Sequence, residues 1–79
     1  MSPTIFRYGS YRFYFFSREE RRRHVHVQHP DGEAKFWLEP RIELARNYGL
    51  SSRQLKAALR LVKERSNELR EAWKKHFGG

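Results

Sequence analysis

Two histidines one residue apart, His24 and His26, follow directly on Arg21, Arg22 and Arg23, and this is where residue types and spacing could do chemistry. An imidazole can take a proton from a reacting hydroxyl or return one, and guanidinium groups can hold the charge that develops on a phosphodiester. RNA brings its own nucleophile, the 2′-hydroxyl. His24 and His26, with Arg7, Arg12, Arg21, Arg22 and Arg23, are therefore candidates for RNA cleavage without a metal. His-x-His on a strand also offers a metal two ligands from one side. Further ligands would have to come from Glu20, His29 or another strand, and there is no second spaced pair, so neither a metal nor a cofactor is expected. The competing reading makes both histidines ordinary polar positions on a half-exposed strand beside Trp37. No glycine-rich phosphate loop, side-chain nucleophile constellation or usefully spaced carboxylate pair offers other chemistry.

The surroundings favour an anionic partner. The chain has 79 residues, 17 Lys and Arg against 9 Asp and Glu, and a net charge of +8. Such an imbalance attracts polyanions, of which nucleic acid is the commonest in a cell. An acidic protein would be attracted by the same charge. The absence of cysteine excludes disulfides and thiolate metal sites and fits a reducing cytoplasm. No signal-peptide pattern and no run of about 18 apolar residues occurs, so a cytoplasmic protein with no membrane role is expected. A domain this small buries only roughly 60% of its unfolded surface, which leaves one modest core and no deep pocket.

The elements that must position these side chains are short strands. Ile5 to Tyr8 and Tyr11 to Phe16, joined by Gly9-Ser10, read as an aromatic hairpin on a primed turn. That register sets Phe6 beside Phe13 on one face and Arg7 opposite Arg12 on the other, and two like charges so opposed make sense if the face meets an anion. Ser17 to Arg23 is a charged loop. His24 to Gln28 and Glu33 to Leu38 flank the turn His29-Pro30-Asp31-Gly32. Pairing Gln28 with Glu33 sets Val27 beside Ala34 and Val25 beside Phe36, so one face is apolar throughout; a one-residue slip would mix the faces. The opposite face then carries His24 with Trp37 and His26 with Lys35, both histidines pointing outward. Residues 41–47 fit a fifth strand through the alternation of Ile42 and Leu44, or the end of a short helix before Gly49.

Ser51-Ser-Arg-Gln54 has capping-box spacing and starts a helix. One uninterrupted helix is expected over about 52–77, its stripe of Leu55, Leu59, Val62, Leu69, Trp73 and Phe77 covering the sheet. Lys56, Arg60, Lys63, Arg70 and Lys74 form a second stripe within an arc of about 80°. The stripe is either a solvated face with pairs such as Arg60–Glu64 and Glu71–Lys75, or a row that tracks a nucleic-acid backbone. The expected fold is thus α+β: an antiparallel sheet of four to five strands within residues 4–47, with one long C-terminal helix packed on one face, in a single domain.

Pro3-Thr-Ile-Phe6, Tyr11-Arg-Phe13, His24-Val-His-Val27, Gly32-Glu-Ala-Lys-Phe-Trp37 and Glu68-Leu-Arg-Glu-Ala-Trp73 resemble the bacterial domain-of-unknown-function family 4160 over nearly the whole chain. The resemblance implies a short protein encoded beside a second uncharacterised family in a toxin–antitoxin-like pair, with no reaction attached. The family pattern carries a histidine and two prolines ahead of the x-His, where this chain has Glu20-Arg21-Arg22-Arg23-His24, with Glu20 in place of the first histidine and arginines in place of the prolines. A three-histidine site would here become Glu20, His24 and His26, which favours electrostatics over metal binding.

These readings together give a small protein that binds or acts on nucleic acid, RNA rather than DNA, as the toxin-like member of a pair with a cognate antitoxin-like protein. The working residues would be His24 and His26 with Arg7, Arg12, Arg21, Arg22, Arg23, Lys35, Trp37, Lys56, Arg60 and Lys63. Trp37 and Tyr14 would offer rings for unpaired bases. A non-enzymatic module that docks an acidic protein is the rival, and a weak metal-independent ribonuclease the third reading.

Overall fold

The computed structural model describes residues 4–16 and 21–78. Five strands, β1 (Thr4–Tyr8), β2 (Tyr11–Tyr14), β3 (His24–His29), β4 (Gly32–Trp37) and β5 (Glu43–Tyr48), form one antiparallel sheet in the order of the chain. Both anticipated registers are present: Phe6 opposite Phe13 and Arg7 opposite Arg12 in one hairpin, and Val25 opposite Phe36 and His26 opposite Lys35 in the other. Gly9 has φ +57°, the sign a primed turn needs at its first loop position. Residues 41–47 resolve mostly as strand, since β5 pairs with β4 across an irregularity at Lys35/Phe36.

The apolar face of the sheet holds the core. Phe6 stacks on Phe13 with centroids 4.4 Å apart, and Phe13, Phe15, Val25, Val27, Ala34, Phe36 and Leu38 are buried. Helical residues Ala58, Leu61, Val62, Leu69 and Trp73 close over them. The capping box forms as its spacing requires, with Ser51 Oγ accepting from the Gln54 amide and Gln54 Oε1 from the Ser51 amide. Gln54 also donates to Asp31 at 2.7 Å, which ties the helix start to the β3–β4 turn.

The expected single helix is two: α1 (Ser52–Glu64) and α2 (Ser66–Phe77), divided at Arg65 with φ −111° and ψ 25°. At 100° per residue Arg65 falls about 20° from Ala58, in the middle of the stripe that faces the sheet. A guanidinium cannot be buried there unpaired. It turns out over the Phe6 ring, 4.2 Å from the centroid, and pairs with Glu68 at 3.6 Å. Arg65 N–H still reaches Leu61 O, and Leu69 N–H reaches Arg65 O, so the helix is bent there and the chain continues.

Candidate functional site

The helices α1 and α2 pack on one face of the sheet, and among the described residues the other face meets a helix only at its margin, where Trp73 of α2 lies against His24. The strand pairings arrange the side chains of that other face in three cross-strand rows: Arg7, Arg12, Gln28, Glu33 and Tyr48; then Tyr14, His26, Lys35 and Arg46; then His24, Trp37 and Glu43. Cations and aromatic rings thus stand side by side on this face, most closely in the second row. The second row, with Glu33 and Tyr48 from the first and with Phe16 and Ala34, lines a cleft of about 450 Å³. Phe16 and Tyr48 are 50% and 59% exposed, so their rings are open to a flat partner.

The two histidines share that face, with ring centroids 5.1 Å apart, yet their environments differ. His26 is half-buried, stacked on Tyr14 at 5.3 Å and met edge-on by Phe16 at 5.7 Å. His24 does not point into solvent as expected: it is 0% exposed. Its Nδ1 lies 2.7 Å from the Arg22 carbonyl, and its ring meets Trp37 at 5.9 Å and Trp73 of α2 at 5.2 Å. Trp73 reaches His24 at the start of β3, which turns a nominally outward position into an interior one. A ring so enclosed is out of reach of a phosphodiester. Proton-transfer chemistry on this face would have His26 alone of the pair.

The arginines are also divided. Arg22 lies over the Trp37 ring at 4.1 Å, donates through Nε to Glu39 O at 2.8 Å and approaches Glu43 at 3.5 Å. Lys35, 8% exposed, has its Nζ 4.7 Å from the same ring. Trp37 therefore already stacks on cations, and a base would have to displace Arg22. Arg23 is held by Glu39 at 3.8 Å, whereas Arg21 is exposed. Arg12 donates to Thr4 and Gln28 and lies over Tyr14 at 4.5 Å; Arg7, beside it, is exposed.

Lys56, Arg60 and Lys63 are exposed on α1, where with Leu59 and Glu64 they edge a groove of about 270 Å³. They point away from the sheet, so the predicted binding residues occupy two opposite surfaces. Arg60 pairs with Glu64 at 3.5 Å as expected, but Glu71 pairs with Lys74 at 3.7 Å, not with Lys75. Arg70 leaves the expected row and donates to Leu38 O at 3.0 Å, closing the end of β4.

Residues 10–74 match the family model described as Domain of unknown function (DUF4160). The chain belongs to that family. No curated protein and no solved structure matches it. The DUF4160 match takes in every residue lining the cleft and leaves β1, with Arg7, outside. Of the three-ligand set suggested by the resemblance, Glu20 lies outside the described residues and His24 is interior; among the described residues no three His, Asp or Glu side chains gather as metal ligands. Among them, too, no helix is long and apolar enough to cross a membrane. Phe16, Glu33, Arg46 and Tyr48 were not anticipated as site residues. For the last three a signal existed, since extending the β3–β4 register across residues 43–48 puts Arg46 beside Lys35 and Tyr48 beside Glu33.

Proposed function

We propose that this DUF4160 protein binds single-stranded RNA on the sheet face opposite the one α1 and α2 pack on, in the cytoplasm, as the toxin-like member of a two-gene pair. The observation that carries the reading is the cleft in which exposed rings of Phe16 and Tyr48 stand beside His26, Lys35 and Arg46. An open sheet suits this task because unpaired bases need flat rings to stack on while the backbone needs cations alongside, and neither requires a deep pocket. The chain's net charge of +8 supports the same partner. Binding is favoured over cleavage because only one imidazole of the pair reaches the surface.

The test is fluorescence anisotropy with a labelled single-stranded RNA across a salt series. Affinity should fall steeply as salt rises, and Phe16→Ala with Tyr48→Ala should weaken it by about 1–3 kcal/mol per base unstacked. Absence of binding at low salt, or affinity indifferent to salt, overturns the reading. Expressing the chain alone should slow growth if it is toxin-like; neutral growth removes that part.

A second reading rests on the α1 row. Lys56, Arg60 and Lys63 lie around a partly apolar groove on the far side of the molecule. That surface suits an acidic partner protein, such as a cognate antitoxin, docked while the sheet face stays open. Pull-down of one acidic protein that is lost on Lys56→Glu with Lys63→Glu, and kept in His26→Ala, tests it.

A further inference from the structure

One residue of the cleft is out of keeping with the rest. Glu33 is the sole carboxylate among the described residues lining it, beside His26, Lys35, Arg46 and the aromatic rings. A carboxylate repels phosphate, so its direct use in a nucleic-acid cleft is to accept hydrogen bonds, from a ribose hydroxyl or from a base. The bases differ in what they can give it. On its Watson–Crick edge guanine carries two adjacent donors, N1–H and the 2-amino group. Uracil N3–H is flanked by two carbonyl oxygens, and the amino groups of cytosine and adenine are each flanked there by an unprotonated ring nitrogen. A carboxylate has two oxygens at the matching spacing, so it pairs with guanine through both and meets at least one acceptor on any other base.

The position of Glu33 fits this use. The Tyr14 hydroxyl donates to its Oε1 at 3.3 Å, which orients the group and leaves carboxylate lone pairs for a base. Its cross-strand neighbours are Gln28 and Tyr48, neither of them cationic, and the 59% exposed Tyr48 ring stands where a base engaged by Glu33 could lie against it. Arg46, in the next row, borders the same cleft and donates to the Tyr48 hydroxyl at 3.0 Å. We infer that the cleft selects guanine, with Glu33 as the specificity-determining residue. This rests on the single-stranded RNA reading and adds the base.

The probes are four labelled decamers of uridine with U, A, C or G at one central position, and a fifth with inosine, which keeps N1–H and lacks the 2-amino group. The G strand should bind about tenfold or more tighter than the A, C and U strands, with inosine between. Glu33→Gln should abolish the preference for G, so that within this variant the G strand binds no tighter than the A, C and U strands. Equal affinity for A and G, or a G preference that survives Glu33→Gln, overturns the selection of guanine while RNA binding itself stands. No binding to any strand overturns both. The inosine strand tests the two-donor geometry on the unaltered protein, so the result does not depend on how a variant folds.

Discussion

Replacing His24 by alanine should unfold this protein more readily than it alters any surface, and the size of the effect can be worked out. The substitution removes a fully buried ring, its hydrogen bond with the Arg22 carbonyl, and edge contacts with Trp37 and Trp73. A lost hydrogen bond costs about 1 kcal/mol and an aromatic contact about 0.5–1.5 kcal/mol, with a cavity term besides. The sum is about 2–4 kcal/mol. A domain of 79 residues has roughly 4–12 kcal/mol at the usual per-residue stability, so this is a large share of the whole. With a urea slope of about 1 kcal/mol/M for so small a chain, the midpoint should fall by about 2–4 M. The assay is urea unfolding followed by tryptophan fluorescence, since both tryptophans touch His24. His26→Ala, at a half-exposed ring, should move the midpoint by less than about 1 M. A His24→Ala shift under about 0.5 M, or one no larger than that of His26→Ala, refutes the assignment of His24 to the interior. Loss of activity in a double His24/His26 variant would then say little about chemistry unless folding were measured beside it.

Gly32→Ala should destabilise the fold by about 1–3 kcal/mol or more, because a Cβ there would collide with the Tyr48 carbonyl oxygen; thermal unfolding measures this. Ser51→Ala should cost about 1 kcal/mol through loss of the Oγ cap on Gln54, read from the same melts. Arg46→Gln should reduce the slope of log affinity for single-stranded RNA against log salt by about 0.7. Lys56, Arg60 and Lys63 changed together to Gln should leave RNA affinity within about threefold at 0.15 M salt. They lie across a body whose shortest dimension is 20 Å, beyond a Debye length of about 8 Å.

Much of the fold is legible in the sequence. The β3–β4 register followed from a single demand, that Val25, Val27, Ala34 and Phe36 share a face, and the structure pairs them so. The helix start was legible for a similar reason, as the two halves of a capping box are three residues apart. What resisted reading depends on distant contacts. His24 has the parity of an outward residue, yet Trp73, from α2, lies against it and helps enclose it. Arg70 has the phase of an exposed cation until the Leu38 carbonyl at the end of β4 gives it a partner. The bend at Arg65 did leave a trace, a cation at the centre of the inner stripe, but an amphipathic pattern judged by its leucines alone passes over it. The cleft itself depends on β5, whose alternation is weak because most of its residues are exposed.

The sheet's neighbour-to-neighbour order has a bearing on how the protein is made. Each strand bonds to the one preceding it, so pairing can proceed in step with translation and needs no distant segment. The covering helices come after all five strands in the chain. Until they are synthesised, Phe13, Val25, Val27 and Phe36 line a bare apolar sheet, the kind of surface that nascent chains aggregate through. The interval between completion of β5 and emergence of Trp73 is thus the vulnerable stage of biogenesis. Changes that weaken α2 should lower yield in cells more than their effect on the stability of the finished fold would suggest.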